Sequence, residues 1–248
     1  MIDYHTHFGQ FYDIYTTPTE LIYMMDNVSA ENFAASSTTI CEGNYEKVLT
    51  EMLELVQLAG SRIMPVLWIV PSMLQDSGLQ LFLNSSISWK MIKIHPQLHP
   101  TAWSCEGDNL QKVIRLAKTM RLPILIHTGE FRGCYPSLFE KAIRNNPDVN
   151  FILAHGRPIE ETILLMLKYS NAWTDTAFMP VKHIMLLHKN GLSSRTLWGS
   201  DTPIQKYYNR NKNLVDDYLS KLQQIQSILP QKDFQKITMY NNPIITIK

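Results

Sequence analysis

The stretch Ile2-Asp3-Tyr4-His5-Thr6-His7-Phe8-Gly9 decides how the rest of the chain is read. It starts as a short strand, and it ends where an open doubly wound sheet would carry a Gly-rich phosphate turn. Two imidazoles stand there instead. Side chains at i and i+2 of a strand share a face, so His5 and His7 stand side by side. That geometry suits gripping one ion. The competing reading is that two histidines fell near a chain end, where polar residues are common and unconstrained. The remaining sequence has to separate the two.

Working outward, eight short segments rich in β-branched and aliphatic residues read as buried strands: 2–5, 32–36, 62–70, 89–95, 122–127, 150–155, 171–176 and 195–200. Helical patterns lie between most of them. Thr17-Pro18-Thr19-Glu20 offers a Thr N-cap, Pro at the first helical position and Glu two residues on, a capping box. Residues 44–58, 109–120 and 160–169 carry apolar side chains at helical spacing, which are read as core. Residues 216–229 read as a last amphipathic helix, and 233–242 as a closing segment. Strand and helix alternate without a linker, a repeat or a charge block, which is the pattern of a parallel sheet with crossover helices. Eight such units in 248 residues predict an α/β fold of one domain over 1–248, a closed (β/α)8 TIM barrel.

Composition narrows the function. The chain is 45% hydrophobic and 18% charged, as expected for a soluble globular protein. Its 23 basic and 22 acidic residues nearly cancel, and no basic block with interleaved aromatics stands out, so nucleic acid is not the expected partner. No apolar run is long enough for a membrane span, and no leader pattern opens the chain. Three cysteines without CxxC spacing point away from a disulfide framework and toward a reducing, cytoplasmic setting. The expected partner is a small-molecule substrate; oligomeric state is not readable from the sequence.

The ionisable residues fall in a pattern. In a (β/α)8 enzyme, reactive groups project from the C-terminal ends of the strands. His5 and His7 end the first predicted strand, Lys93 and His95 the fourth, His127 the fifth and His155 the sixth, and Asp201 follows the eighth. A single buried histidine is usually a satisfied core residue. Three strands ending in histidine, with an aspartate after another, are hard to assign to chance. A closed barrel gathers these ends on one cavity, and imidazole nitrogens with a carboxylate are ligands for Zn2+ or a similar divalent ion. His5 and His7 are therefore read as two arms of a metal site.

These motifs resemble the amidohydrolase superfamily, more closely the branch called amidohydrolase-2, relatives of aminocarboxymuconate-semialdehyde decarboxylase. The matching pieces are Asp3-Tyr4-His5-Thr6-His7, Lys93-Ile94-His95-Pro96, Ile126-His127-Thr128-Gly129, Ala154-His155-Gly156, Gly199-Ser200-Asp201-Thr202-Pro203 and Met239-Tyr240-Asn241-Asn242-Pro243. They fall in family order across almost the whole chain. The resemblance implies that His5, His7 and His127 bind the metal, with Asp201 as ligand or proton acceptor, and His155 either as ligand of a second metal or, the preferred reading, as catalytic base and electrostatic partner beside the first. One ion is expected, with Zn2+ preferred and Mn2+ or a second ion as alternatives. A two-metal site in such enzymes often uses a carboxylated Lys or a Glu on strand four. Lys93 stands near that place, and an unmodified Lys repels a second metal. Its other natural role is to receive a substrate carboxylate or phosphate.

Further residues have lesser expected roles. Asp3 is placed by strand parity on the His5 and His7 side, as support or filler. His95 lines the pocket, and His99 is a loop residue. Of Glu130, Arg132 and Cys134, which follow Gly129, Arg132 is the candidate clamp for an anionic substrate. Asp175 is read as structural, and His183 and His188 as surface residues.

The expected activity is metal-dependent hydrolysis, or decarboxylation, of a small anionic organic substrate by a metal-activated water. Lowering the pKa of water from about 15.7 to about 7 is worth roughly 12 kcal/mol, against roughly 3–5 kcal/mol for general-base catalysis alone. The metal is the larger contribution. A TatD-type deoxyribonuclease is the enzymatic alternative, weakened by Lys93 where a metal-bridging Glu is expected. A non-catalytic barrel that binds a small ligand is the third.

Overall fold

In the computed structural model, which describes residues 1–75, 77–99, 101, 103–129 and 131–244, strand β1 (Ile2–Phe11) runs well beyond the predicted 2–5. Its far half is held by an antiparallel partner, β2 (Ile14–Thr16), across a tight turn at Tyr12 and Asp13. This hairpin was not expected, because β2 is too short to show a period. Glu130 lies outside the described residues.

The chain continues through α1 (Pro18–Asn27), β3 (Asn32–Ser37), α2 (Tyr45–Ala59), β4 (Ile63–Trp68), α3 (Gly78–Leu83) and β5 (Met91–Ile94). It then forms α4 (Asp108–Met120), β6 (Ile124–His127), α5 (Glu140–Asn145), β7 (Phe151–Ala154), α6 (Ile159–Lys168), β8 (Ala172–Asp175), α7 (Val181–Lys189) and β9 (Thr196–Leu197). Helices α8 (Gln205–Tyr208), α9 (Leu214–Ile228) and α10 (Gln231–Gln235) follow, then a π-helical turn (Lys236–Tyr240). Helix α1 starts as its sequence dictates: the Thr17 side chain accepts from the Glu20 backbone N–H, and the Glu20 carboxylate accepts from that of Thr17.

The sheet order is β2-β1-β3-β4-β5-β6-β7-β8-β9, parallel from β1 onward. The ring closes where the segment after β9 meets β1. The Tyr4 N–H donates to Trp198 O at 2.8 Å, Asp201 N–H to His5 O at 2.8 Å and His7 N–H to Thr202 O at 2.7 Å. The fold is a (β/α)8 TIM barrel in one domain. Asn241 ties the C-terminal turn beneath this seam, its amide donating to Ser193 O at 2.7 Å and Thr196 O at 2.6 Å.

Strand parity sorts the side chains. Tyr4, Ala34, Val66, Met91, Leu125, Ile152 and Leu197 fill the barrel interior, while Phe33, Leu67, Ile92, Ile124, Phe151 and Ala172 pack outward against the helices. Lys93 and His127 stand two residues beyond Met91 and Leu125, one layer higher on the inner face. On β1 a bulge between Asp3 and Thr6 shifts the register against β3. It rephases the strand, so that Tyr4 faces inward below it and His5 and His7 above it. The parity expectation for Asp3 therefore fails: its carboxylate turns away from the histidines to Ser200 and the Tyr218 hydroxyl of α9.

Candidate active site

The ends of β1, β5, β6 and β7 and the segment after β9 bring buried polar groups to one place, a composition cores otherwise avoid. The Nε2 atoms of His5 and His7 lie 3.2 Å apart. Asp201 Oδ1 is 3.2 Å from His5 Nε2 and 2.9 Å from His7 Nε2. Lys93 Nζ is 2.8 Å from each of these two Nε2 atoms and 4.6 Å above the Trp68 ring. His155 Nε2 meets His127 Nδ1 at 3.0 Å. Among the described residues, one group of His, Cys, Asp and Glu has ligand atoms all within 4.8 Å of one another: His5, His155 and Asp201.

The opposite ring nitrogens are anchored. His5 Nδ1 lies 2.8 Å from Asp175 Oδ2, and His155 Nδ1 lies 3.1 Å from Ala177 O. His7 Nδ1 faces Ser36, 2.9 Å from its Oγ and 3.2 Å from its carbonyl oxygen. A Nδ1–H donated to an oxygen leaves the Nε2 lone pair as the inward acceptor, the tautomer a metal ligand needs. Burial pulls the His5 imidazole below its usual pKa, with the Lys93 charge adding to the effect. The same two causes hold His7 well below it, and burial with His127 does so for His155. Neutral imidazoles result. Burial pushes the Asp201 carboxyl up, against the pull of His5 and Lys93. It also brings the Lys93 amine down to about 8. Neutral, Nδ1-anchored imidazoles beside a carboxylate are a donor set that fits a divalent cation.

Local backbone makes this convergence possible. His155 and Asp201 both adopt left-handed φ, at 68° and 60°. Such conformations are sparsely populated by residues with a Cβ and gather at functional sites. Gly199 lets the segment after β9 approach: a Cβ there would lie 2.9 Å from His5 Cβ and 3.2 Å from Asp175 Cβ. Asp175 does more than the structural filling expected of it. Besides orienting His5, its Oδ1 accepts from the backbone N–H of His155 at 2.9 Å and of Ala177 at 3.0 Å.

A cavity of about 490 Å3 opens above the cluster, with His7, Lys93, His95, His127, His155 and Asp201 in its lining. His95 stacks on His127 at 3.8 Å between ring centres, and its Nδ1 accepts from the backbone N–H of Leu98 at 2.9 Å. Of the expected ligands, His5 and Asp201 lie in the close group, His7 Nε2 lies beside both, and His127 meets His155, which also belongs to the group. Arg132 is exposed in a short 3-10 turn and is not among the lining residues. Arg157 lines the cavity instead, two residues after His155, where its sequence position was the only available signal. Trp68, Phe178, Tyr207 and Tyr208 are further lining residues that the sequence reading missed.

The fold and the site define an enzyme of the amidohydrolase superfamily. The family model described as Amidohydrolase matches residues 2–244, and the chain belongs to that family. No curated protein matches the chain. Solved structures show the same fold. A probable 2-pyrone-4,6-dicarboxylic acid hydrolase from Acinetobacter baumannii, with citric acid bound, is 13% identical with a TM-score of 0.72, covering 97% of this chain and 96% of the other. A 2,6-dihydroxybenzoate decarboxylase complexed with 2,6-dihydroxybenzoate is 12% identical with a TM-score of 0.67, covering 95% of each chain. An amidohydrolase from Burkholderia multivorans with bound zinc is 12% identical with a TM-score of 0.66, again covering 95% of each chain.

Proposed function

We propose that this protein is a metal-dependent hydrolase or decarboxylase of a small anionic organic substrate, acting at the C-terminal mouth of the barrel. The observation that carries the reading is the approach of His5, His155 and Asp201 ligand atoms to within 4.8 Å on the lining of a substrate-sized cavity. His5, His7, His155 and Asp201 would hold the ion, with His127 supporting His155. Zinc suits this nitrogen and oxygen donor set best, with manganese as the alternative. When bound, the ion supplies Lewis acidity, polarising a substrate oxygen and easing loss of a proton from water.

The chain's own residues do the rest. Among the described residues Lys93 and Arg157 are the cations lining the cavity, and they receive the anionic group of the substrate. Asp201, on the lining of the cavity, takes the proton an attacking water must lose and returns it to the leaving group. In a decarboxylation the same carboxyl delivers a proton to the carbon left by carbon dioxide. Asp175 and Ser36 hold the His5 and His7 rings in place throughout. Citric acid and dihydroxybenzoate, bound in two structures of the same fold, support an anionic substrate. A cytoplasmic site of action is part of this reading; among the described residues no helix is long and apolar enough to cross a membrane.

The test is turnover by zinc-loaded protein on a panel of lactones, amides and hydroxybenzoic and β-keto acids. Turnover that chelation abolishes and zinc restores supports the reading. Absence of turnover across the panel with zinc and manganese contradicts it.

A further inference from the structure

The cavity has two aromatic walls on opposite sides of the strand ring. One stands on the ends of β4, β5 and β6, where Trp68 stacks with His95 at 6.3 Å and an interplanar angle of 15°, and His95 stacks on His127. The other is a run of rings from the β1–β2 turn to the loop after β8. Tyr12 stacks on Tyr207 at 4.9 Å, Tyr207 meets Tyr208 at 5.4 Å, Tyr208 meets Phe178 at 5.7 Å, and Phe178 lies 6.2 Å from His155. Strand order puts β1, β8 and β9 across the ring from β4, β5 and β6.

Backbone conformation singles out two rings in the second wall. Six residues other than glycine have left-handed φ among the described residues. Ser29 follows helix α1 and Arg121 caps the end of α4, ordinary places for that conformation. The other four are His155, Asp201, Tyr12 (φ 52°) and Phe178 (φ 51°), and all four line the cavity. Tyr12 takes its φ in the two-residue β1–β2 turn, a usual place for that conformation but one that normally selects Gly or Asn, and Phe178 adopts it in the loop after β8, where so bulky a ring is an outlier that points to function. Tyr12 and Phe178 remain 60% and 37% exposed, so their rings are not held there by a core. Asp201 is the one acidic group lining the cavity among the described residues, and the cations Lys93 and Arg157 share that lining.

We propose that Tyr12 and Phe178 are specificity residues that hold the face of a planar, unsaturated carboxylate across the mouth of the barrel. The inference rests on the reading of this cavity as the substrate site, and it names the class of substrate. Flat rings between aromatic walls gain from offset-stacked and edge-to-face contacts that a saturated ring of the same size does not make. The acid group is taken by Lys93 or Arg157.

The probes are benzoate and cyclohexanecarboxylate, which match in charge and carbon count and differ in flatness. Titration calorimetry on the zinc-loaded full chain should show benzoate bound about 5–10-fold more tightly. Tyr12→Asn and Phe178→Asn remove each ring with a residue that tolerates left-handed φ. Each variant should keep the wild-type melting temperature or exceed it, and should cut the benzoate preference at least about threefold. Equal binding of the two probes, no measurable binding of benzoate, or an unchanged preference in both folded variants would overturn the inference. Benzoate selectivity without any metal-dependent turnover sinks the hydrolase reading alone. Turnover with no preference between the probes sinks this one alone.

Discussion

The imidazole of His5 and the carboxylate of Asp175 meet at 2.8 Å with 1% of each side chain exposed. The partners of Asp175 are divided: Oδ2 serves His5, and Oδ1 serves the backbone of His155 and Ala177. Asp175→Asn keeps the second function through its amide oxygen and loses the first, because the amide nitrogen cannot accept from Nδ1–H. The variant should fold, and its zinc affinity should fall about 10–100-fold in competition with a chelator. Unchanged affinity would remove Asp175 from the site.

Gly199 sets how closely the seam of the barrel approaches His5. In Gly199→Ala the added methyl lies 2.9 Å from His5 Cβ and 3.2 Å from Asp175 Cβ, both rooted in strands that cannot yield cheaply. The expected cost is about 1–3 kcal/mol of stability, read by urea denaturation, together with weaker zinc binding. A variant as stable as the wild type would mean that the seam has slack.

Lys93 shares the lone pairs of His5 and His7, at 2.8 Å from each. As an ammonium it competes with a metal cation for those atoms, so Lys93→Met should bind zinc at least about tenfold more tightly. Loss of zinc in the same variant would identify Lys93 as a carboxylated ligand instead. If Lys93 is instead the ammonium that receives the acid group, affinity for an anionic probe such as benzoate should fall in the same variant.

Asp3 gives a pH signature. Burial raises its carboxyl to about 7, only partly offset by the hydrogen bonds from Ser200 and His5. The folded state therefore holds the proton more tightly than the unfolded chain, and the contribution of Asp3 is fully present below about pH 4 and is lost as pH rises through about 7. Asp3→Asn keeps an acceptor for the His5 and Ser200 N–H groups and carries no charge. The variant should gain on the wild type as pH rises from about 5 to about 8, by up to roughly 3 kcal/mol in denaturant unfolding with metal content matched. A difference that stays flat with pH would mean that Asp3 does not titrate in this range.

The barrel was legible because its strands are short apolar runs at regular spacing, and because polar groups end those runs. Met91-Ile92-Lys93-Ile94 shows both features: alternation puts Met91 and Lys93 inside and the isoleucines against the helices. Parity failed at Asp3, since one extra residue in a bulge reverses the facing of everything below it and leaves no mark in composition. The β1–β2 hairpin and α8 were missed because elements of three and four residues show no period. Their side chains, Tyr12 and Tyr207, were missed with them. Arg132 and Arg157 both follow a histidine strand end closely, and only the loop path decides which of them lines the cavity.

The account depends on one property: His5 and Asp201, almost two hundred residues apart in sequence, grip the same cation. Elemental analysis of purified wild type, His5→Ala and Asp201→Ala, each checked for an intact melting transition, tests it directly. The prediction is about one divalent ion per chain in the wild type and less than about a tenth of that in each variant. Full wild-type metal content in both variants would contradict it.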